Sequence, residues 1–318
     1  MHNLRKRQFL KWTLAAGAVA TLAACGGGDD DITAPPALKS IVGVAQSDPQ
    51  FSILVEAVVA AGLVDTLSSP GPFTVFAPTN NAFAALLGEL GITKDALLAN
   101  KPLLTAVLTY HVLPAKVLES GVPVGKAITT VQGGVFKIET AGGLKITDGR
   151  NRVSNITATD IAASNGVIHV IDKVILPADK NIVATAQGIS DFSILVEAVV
   201  AAGLVDTLSG PGPFTVFAPT NAAFAALLGE LGVSKDALLA NKPLLTAVLT
   251  YHVVPGRVLK ADVPVGAAIT TVQGETFTID SALMVNDQRG RKAGIVATDV
   301  FTSNGVIHVI DKVILPAA

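Results

Sequence analysis

Cysteine is almost absent: the 318 residues hold one, Cys25. A single thiol closes no intrachain disulfide, so the fold must hold by packing alone, even in an oxidising compartment. It also leaves no spare thiol for nucleophilic catalysis. After the first 25 residues no apolar run approaches the ~20 residues that a membrane-crossing helix needs. Clusters of Lys and Arg dense enough to displace counterions from phosphates are missing, which argues against nucleic acid as a partner. The chain has no G-x-S-x-G, no H-E-x-x-H, no phosphate loop and no dinucleotide glycine fingerprint. Polar residues are few and scattered, whereas catalysis needs converging acid, base and oxyanion groups. The sequence therefore reads as non-enzymatic, with no catalytic residue, metal or cofactor assigned.

What is present begins as an address. Arg5, Lys6, Arg7 and Lys11 precede an apolar stretch from Trp12 to Ala24, too short for a mature spanning helix, so residues 1–24 read as a signal peptide. Lys6-Arg7-Gln8-Phe9-Leu10-Lys11 resembles a twin-arginine export signal with Lys in place of the first Arg, and both the twin-arginine and the general secretory routes stay open. Leu22-Ala23-Ala24-Cys25 resembles the bacterial lipobox, in which small residues admit the peptidase and the following thiol carries a diacylglyceryl group. Cys25 is thus the expected lipidation site and membrane anchor; the alternative is an ordinary Ala-rich cleavage site beside a chance cysteine. Gly26 supplies no Asp-type retention cue, which favours the outer membrane of the cell envelope. Residues 25–37 form a tether without apolar periodicity, able to hold a domain up to roughly 45 Å from the lipid. Loss of the signal removes Arg5, Lys6, Arg7 and Lys11 and moves the formal net charge from −2 to −6.

The body is a duplication. Phe51 to Gln132 recurs as Phe192 to Gln273 at an offset of 141, with about seven positions in eight identical. The offset falls to 139 by Asn304-Gly305, so two residues are lost between Gly133 and Thr147, in a surface loop or hairpin tip. Two domains of one fold follow, 38–178 and 179–318. Leu176 to Asn181 between them gives little slack and predicts a restricted inter-domain angle.

Within a repeat, Phe51, Leu54, Val55, Val58 and Val59 keep helical spacing up to Gly62, where a left-handed cap would fall. Phe73 to Phe76 alternates as a strand after the Pro70-Gly71-Pro72 turn. Thr79 or Asn80 can cap a helix carrying Phe83, Leu86, Leu87 and Leu90 on one face. A short helix over 94–100 is followed by one begun by Pro102, with Leu104, Val107, Leu108 and His111 on its inner stripe. From Ala127 onward strands are predicted at 127–131, 135–140, 144–147, 153–160 and 167–176. Asn165-Gly166 signals a tight hairpin whose central residues need positive φ, so the last two strands pair antiparallel. Helices first and strands later make the class α+β.

These residues resemble the fasciclin domain family. Phe73-Thr74-Val75-Phe76-Ala77-Pro78-Thr79-Asn80 with Phe83 resembles its first signature block, Tyr110-His111 its Tyr-His pair, and Asn165 to Pro177 its second block. Phe214 to Asn221 with Phe224, Tyr251-His252, and Asn304 to Pro316 repeat all three. The resemblance implies two tandem fasciclin-type domains, each a β-sandwich wedge with packed N-terminal helices. It also implies secreted or surface-attached modules linked to adhesion and matrix interaction.

Candidate chemistry is sparse. His111, His169, His252 and His308 are read either as metal ligands or bases, or as buried hydrogen-bonded packing residues. Tyr110-His111 and Tyr251-His252 are candidate binding residues, with satisfaction of buried backbone groups as the alternative. Arg150 and Arg152 align with Arg289 and Arg291, followed by Lys292, and predict a basic tip on each domain, facing acidic polysaccharide or anionic lipid, or else a simple solvated loop. The functional expectation is a lipid-anchored adhesion or binding protein whose partner is a protein or polysaccharide of the cell surface or matrix. An envelope protein binding a small apolar or anionic ligand and a hydrolase of envelope polymers are the alternatives.

Overall fold

Residues 37–317 are described by a computed structural model. Cys25, the signal segment and all of the tether before Ala37 lie outside the described residues.

The first repeat opens with α1 (Ile41–Gln46), α2 (Ser52–Ala61) and α3 (Val64–Ser68), followed by β1 (Phe73–Pro78), α4 (Asn80–Leu90), α5 (Lys94–Ala99) and α6 (Lys101–Tyr110). Then come β2 (Val112–Leu113), β3 (Ile128–Thr129), β4 (Val135–Glu139), β5 (Lys145–Thr147), β6 (Val153–Ala163) and β7 (Gly166–Ile171). Local chemistry sets the ends. Gly62 closes α2 at φ 74°, a left-handed value that costs glycine nothing. Thr79 caps α4 by accepting from the Ala82 amide. Asn80 instead bridges two elements, accepting from Ile53 N and donating to the Pro49 carbonyl and Ser52 Oγ, which ties the start of α2 to the end of β1.

The second repeat follows the same order: α7 (Ile182–Gln187), α8 (Ser193–Ala202), α9 (Val205–Ser209), β8 (Phe214–Pro219), α10 (Asn221–Leu231), α11 (Lys235–Ala240) and α12 (Lys242–Tyr251). Its strands are β9 (Val253–Pro255), β10 (Ala268–Thr270), β11 (Thr276–Ile279), β12 (Met284–Asn286), β13 (Lys292–Thr302) and β14 (Gly305–Ile310). The two residues lost relative to the first repeat come from the β4–β5 tip, which Leu283 rounds at φ 58° where the first repeat uses Gly142 and Gly143.

In each repeat the seven strands form one sheet, ordered β2-β1-β7-β6-β5-β4-β3 in the first. β1 and β7 run parallel and every other pair antiparallel. Alternation along β1 and β7 sends Val75, Ala77, Ile168 and Val170 into the core beneath the helices. Phe76 and Ile171 face the opposite way and meet Phe136, Ile138 and Ile146, because the sheet bends over to make a second core. Phe76 and Phe136 sit edge to face with centroids 5.2 Å apart. This is the α+β class that the period change predicts, in the wedge that the resemblance implies.

Two expectations need correction. The Asn165-Gly166 hairpin exists, but its turn residues are Ser164 and Asn165, with Gly166 already paired to Ala163. Neither Asn165 nor Gly166 takes positive φ. Gly166 is glycine for space: a Cβ there would lie 2.1 Å from the Phe73 carbonyl oxygen of β1. The last strand stops at Ile171 instead of running to Leu176, although Val174, Ile175 and Leu176 stay buried. Helices α1 and α3, at six and five residues, are too short to display a period.

Candidate functional site

The Tyr110-His111 pair sits where α6 ends. Tyr110 is wholly buried; its hydroxyl donates to the Val135 carbonyl at 2.6 Å and accepts from Gly149 N at 2.8 Å. Burial, then the nearby Asp148 carboxylate, push this phenol above its ordinary range. His111 donates from Nδ1 to the Val107 carbonyl at 2.7 Å and accepts at Nε2 from Ile175 N at 3.1 Å, which fixes a neutral tautomer. Burial pulls its pKa down to about 4. Tyr251 and His252 repeat the arrangement: Tyr251 donates to the Thr276 carbonyl and is pushed up to about 12 by burial, and His252 is lowered to about 4. The expectation of a recognition spot at Tyr110, His111, Tyr251 and His252 is therefore corrected. These rings are interior because their polar tips satisfy backbone groups.

His169 and His308 lie on the inner sheet face. Each accepts at Nδ1 from the amide of Asp160 or Asp299 and donates at Nε2 to the carbonyl of Val117 or Val258. Burial lowers the His308 pKa. Asp160 and Asp299 occupy β-bulges at φ 60° in β6 and β13. Among the described residues no group of three or more His, Cys, Asp or Glu is placed to hold a metal ion.

In the first domain the arginine loop is closed on carboxylates, whereas Arg289 and Lys292 of the second stay exposed. Arg152 pairs with Asp148 at 3.0 Å and with Glu89, and donates to the Val174 carbonyl; Arg150 pairs with Asp179 at 3.0 Å. In the second repeat Arg291 pairs with Glu230 at 2.9 Å and Arg289 donates to the Pro316 carbonyl. The residues that sequence reasoning passed over are Asp148 and Asp287. Asp148 is buried; its Oδ1 accepts from Arg150 N and Arg152 N, and its Oδ2 from Leu176 N. The signal was present as an Asp two and four residues before arginines, a spacing that closes a turn on its own carboxylate. Asp148 thereby draws Tyr110, Arg150, Arg152 and the Ile175-Leu176 segment to one end of the domain.

That end of the first domain docks on the side of the second. Val135 packs with Leu259, Phe301 and Val306. Lys137 forms a buried ion pair with Asp299 at 3.0 Å and a second with Glu139. Burial alone would lower the Lys137 pKa, but the hydrogen bonds to Glu139 and Asp299 outweigh it and raise it. Asn151 brackets Phe301, donating to its carbonyl at 3.1 Å and accepting from its amide at 2.6 Å. Lys126 and Asp262 face each other at 3.6 Å on the rim.

Comparison with known proteins gives matches over both repeats. The fasciclin domain matches at residues 49–177 and 190–316, and a twin-arginine translocation pathway signal sequence matches at residues 3–23. Human periostin is 29% identical over 296 residues, 91% of this chain and 32% of periostin. Protein sll1483 of Synechocystis is 48% identical over 151 residues, 46% of this chain and 79% of that protein. The chain thus spans about a third of periostin's length. A solved FAS1 domain pair from the insect cell adhesion molecule fasciclin I aligns at a TM-score of 0.42 and 16% identity, over 82% of this chain and 95% of the other.

Proposed function

The chain belongs to the fasciclin domain family, and from that premise we propose that it is an exported, lipid-anchored adhesion or binding protein without catalytic activity. In this reading residues 1–24 direct export, Cys25 carries the lipid, residues 26–37 clear the headgroups, and domains 38–178 and 179–318 meet a protein or polysaccharide of the cell surface or matrix. The observation that carries it is the pairing of an export signal with a duplicated surface-module domain whose buried polar side chains are committed to architecture. Tyr110, His111 and Asn165 spend their hydrogen bonds on backbone groups, and Asp148 on backbone amides and Arg152.

The duplication supports binding in a second way. The α2 and α8 faces are identical in sequence, and Val59 and Val200 are exposed at equivalent positions, 59% and 57%. A partner that touches this face meets it twice, and linking two weak contacts raises avidity through effective concentration. The test is surface attachment and biofilm formation by cells carrying the full-length chain as wild type, Cys25→Ala, Val59→Asp, Val200→Asp or both valine changes. Attachment should fall most in Cys25→Ala and in the double variant. Unchanged attachment in a strain deleted for the gene would overturn the reading, and an unmodified Cys25 by mass spectrometry would remove the anchor from it.

A further inference from the structure

Among the described residues two buried side-chain polar atoms lack a hydrogen-bond partner, Arg150 Nε and Arg257 Nε. Both lie where the domains meet. Arg257 follows β9 and reaches into a cavity of about 340 Å³ shared by Gly134 and Gly149 of the first domain and Thr302 and Ser303 of the second. Arg150 lines an adjoining cavity of about 580 Å³ with Arg152, Lys180 and Asp179. Gly149 and Phe301 border both spaces. Arg150 keeps Asp179 at 3.0 Å as partner for the rest of its guanidinium. Arg257 has five donors and no way to lose its charge at neutral pH, so its buried Nε without an acceptor is the costlier of the two. Burial draws the Arg257 pKa down.

The two sides of the duplication line this place differently. Gly134 and Gly149 correspond to Glu275 and Gln288. Glu275 accepts from Ala317 N and Gln288 donates to the Thr276 carbonyl, so side chains line this place in the second domain, whereas in the first Gly134 adds none and Gly149 lets the Ala178 backbone pass, its amide nitrogen 2.3 Å from where a Cβ would lie. Arg257 itself corresponds to Lys116 on the first domain's undocked side. A chain whose body is acidic therefore keeps, in a cleft of ligand-like size, an Arg257 guanidinium with no carboxylate partner among the described residues.

We propose that the inter-domain cleft binds a small oxyanion-bearing ligand, with Arg257 holding its carboxylate or phosphate group and Arg150 placed to contact a second acidic or polar group. A planar guanidinium matches either anion with two parallel hydrogen bonds. The site is independent of the adhesion reading, since it requires no surface partner.

The test follows arginine Nε–Hε resonances of the labelled full chain during separate titrations with inorganic phosphate, glucuronate and neutral glucose. The Arg257 resonance should shift saturably with an anion and stay still with glucose; phosphate alone or glucuronate alone tells which source the cleft serves. Arg257→Gln should weaken binding at least tenfold, and Lys116→Gln should leave it unchanged. Gly134→Glu, which copies Glu275, should abolish binding with at most a small drop in melting temperature, since its Cβ needs only the Gln132 side-chain tip and the Tyr110 ring edge to give way, and stands in should Arg257→Gln not fold. Absence of saturable shifts with both anions, equal binding of glucose, or full affinity in Arg257→Gln overturns the proposal.

Discussion

The two domains share an interior and differ at their ends. Tyr110 is sealed beneath the second domain, whereas the corresponding end around Tyr251 carries Thr276, Thr278 and Gly290 where the first has Val135, Lys137 and Asn151. On the receiving side the second domain has Arg257, Asp262 and Phe301, against Lys116, Gly121 and Ala162 in the first. A head-to-tail contact between copies of one fold would ordinarily propagate into a filament. Here each free end lacks the side chains that make the joint, so the contact closes once. The difference teaches that divergence after duplication has reached the joint, while the helical cores stayed nearly unchanged.

The largest effect should be one that the domains share. His111 and His252 are neutral in the fold, with pKa about 4 against the ordinary 6.5. As pH falls below 6.5 the unfolded chain takes up these protons and the folded chain does not, so stability is complete above 6.5 and is lost progressively down to about 4. At about 1.4 kcal/mol per unit this comes to about 3 kcal/mol for each histidine. Denaturant midpoints should drop across that window, and His111→Gln or His252→Gln should each remove roughly half of the acid sensitivity. Equal stability at pH 7 and pH 4 would show that the interiors are not closed to protons, and a loss traced to one histidine alone would end their equivalence.

Next is the buried pair across the joint. Lys137→Ala leaves Asp299 inside with Lys260 N as its remaining partner, and stranding a buried charge costs about 3–5 kcal/mol. Thr278→Ala, the matching change in the second domain, should stay within about 0.5 kcal/mol. Calorimetry on both variants decides, and similar losses would mean that the joint contributes nothing. The double change Lys137→Met with Asp299→Asn should recover most of the loss, since it removes both charges together.

Tyr110→Phe strands the Val135 carbonyl and the Gly149 amide under the docked domain, for about 2–3 kcal/mol. Tyr251→Phe loses one bond at an end not covered by another domain and should cost about 1 kcal/mol. Chemical denaturation of the two variants measures the gap; a reversed order would place the solvent boundary wrongly.

Much of this was readable from residues alone. The helical stripes through Leu54 and Leu104, the strand at Phe73, the Gly62 cap and the class change at Ala127 follow from period and cap chemistry, which are local. The duplication was readable because identity needs no geometry. The joint was not, since Lys137 meets Asp299 across 162 positions and neither residue advertises its partner. The first arginine loop reads as an open tip in sequence because Asp148 looks like a solvated turn residue until Leu176 folds back onto it. The role of Gly166 was misassigned for a related reason: sequence shows that a residue is small, and only the neighbouring strand shows whether φ or space demands it.

The smallest effect is the most local test of the joint. Asn151 sits at φ 62° and Gly290, its counterpart, at φ 72°. Asn151→Gly relieves a left-handed residue but gives up both hydrogen bonds to the Phe301 backbone, so the net loss should be about 1 kcal/mol. The loss should appear at the joint and not in the cores: faster amide exchange at Phe301, with protection unchanged at Ile168 and Ile307. Gly290→Asn, the reciprocal change, has no backbone to bracket and tolerates the left-handed conformation, so it should lie within about 0.5 kcal/mol of wild type. If Asn151→Gly leaves Phe301 exchange untouched, the bracket is incidental, and the joint rests on Lys137 and the apolar cluster around Val135 alone.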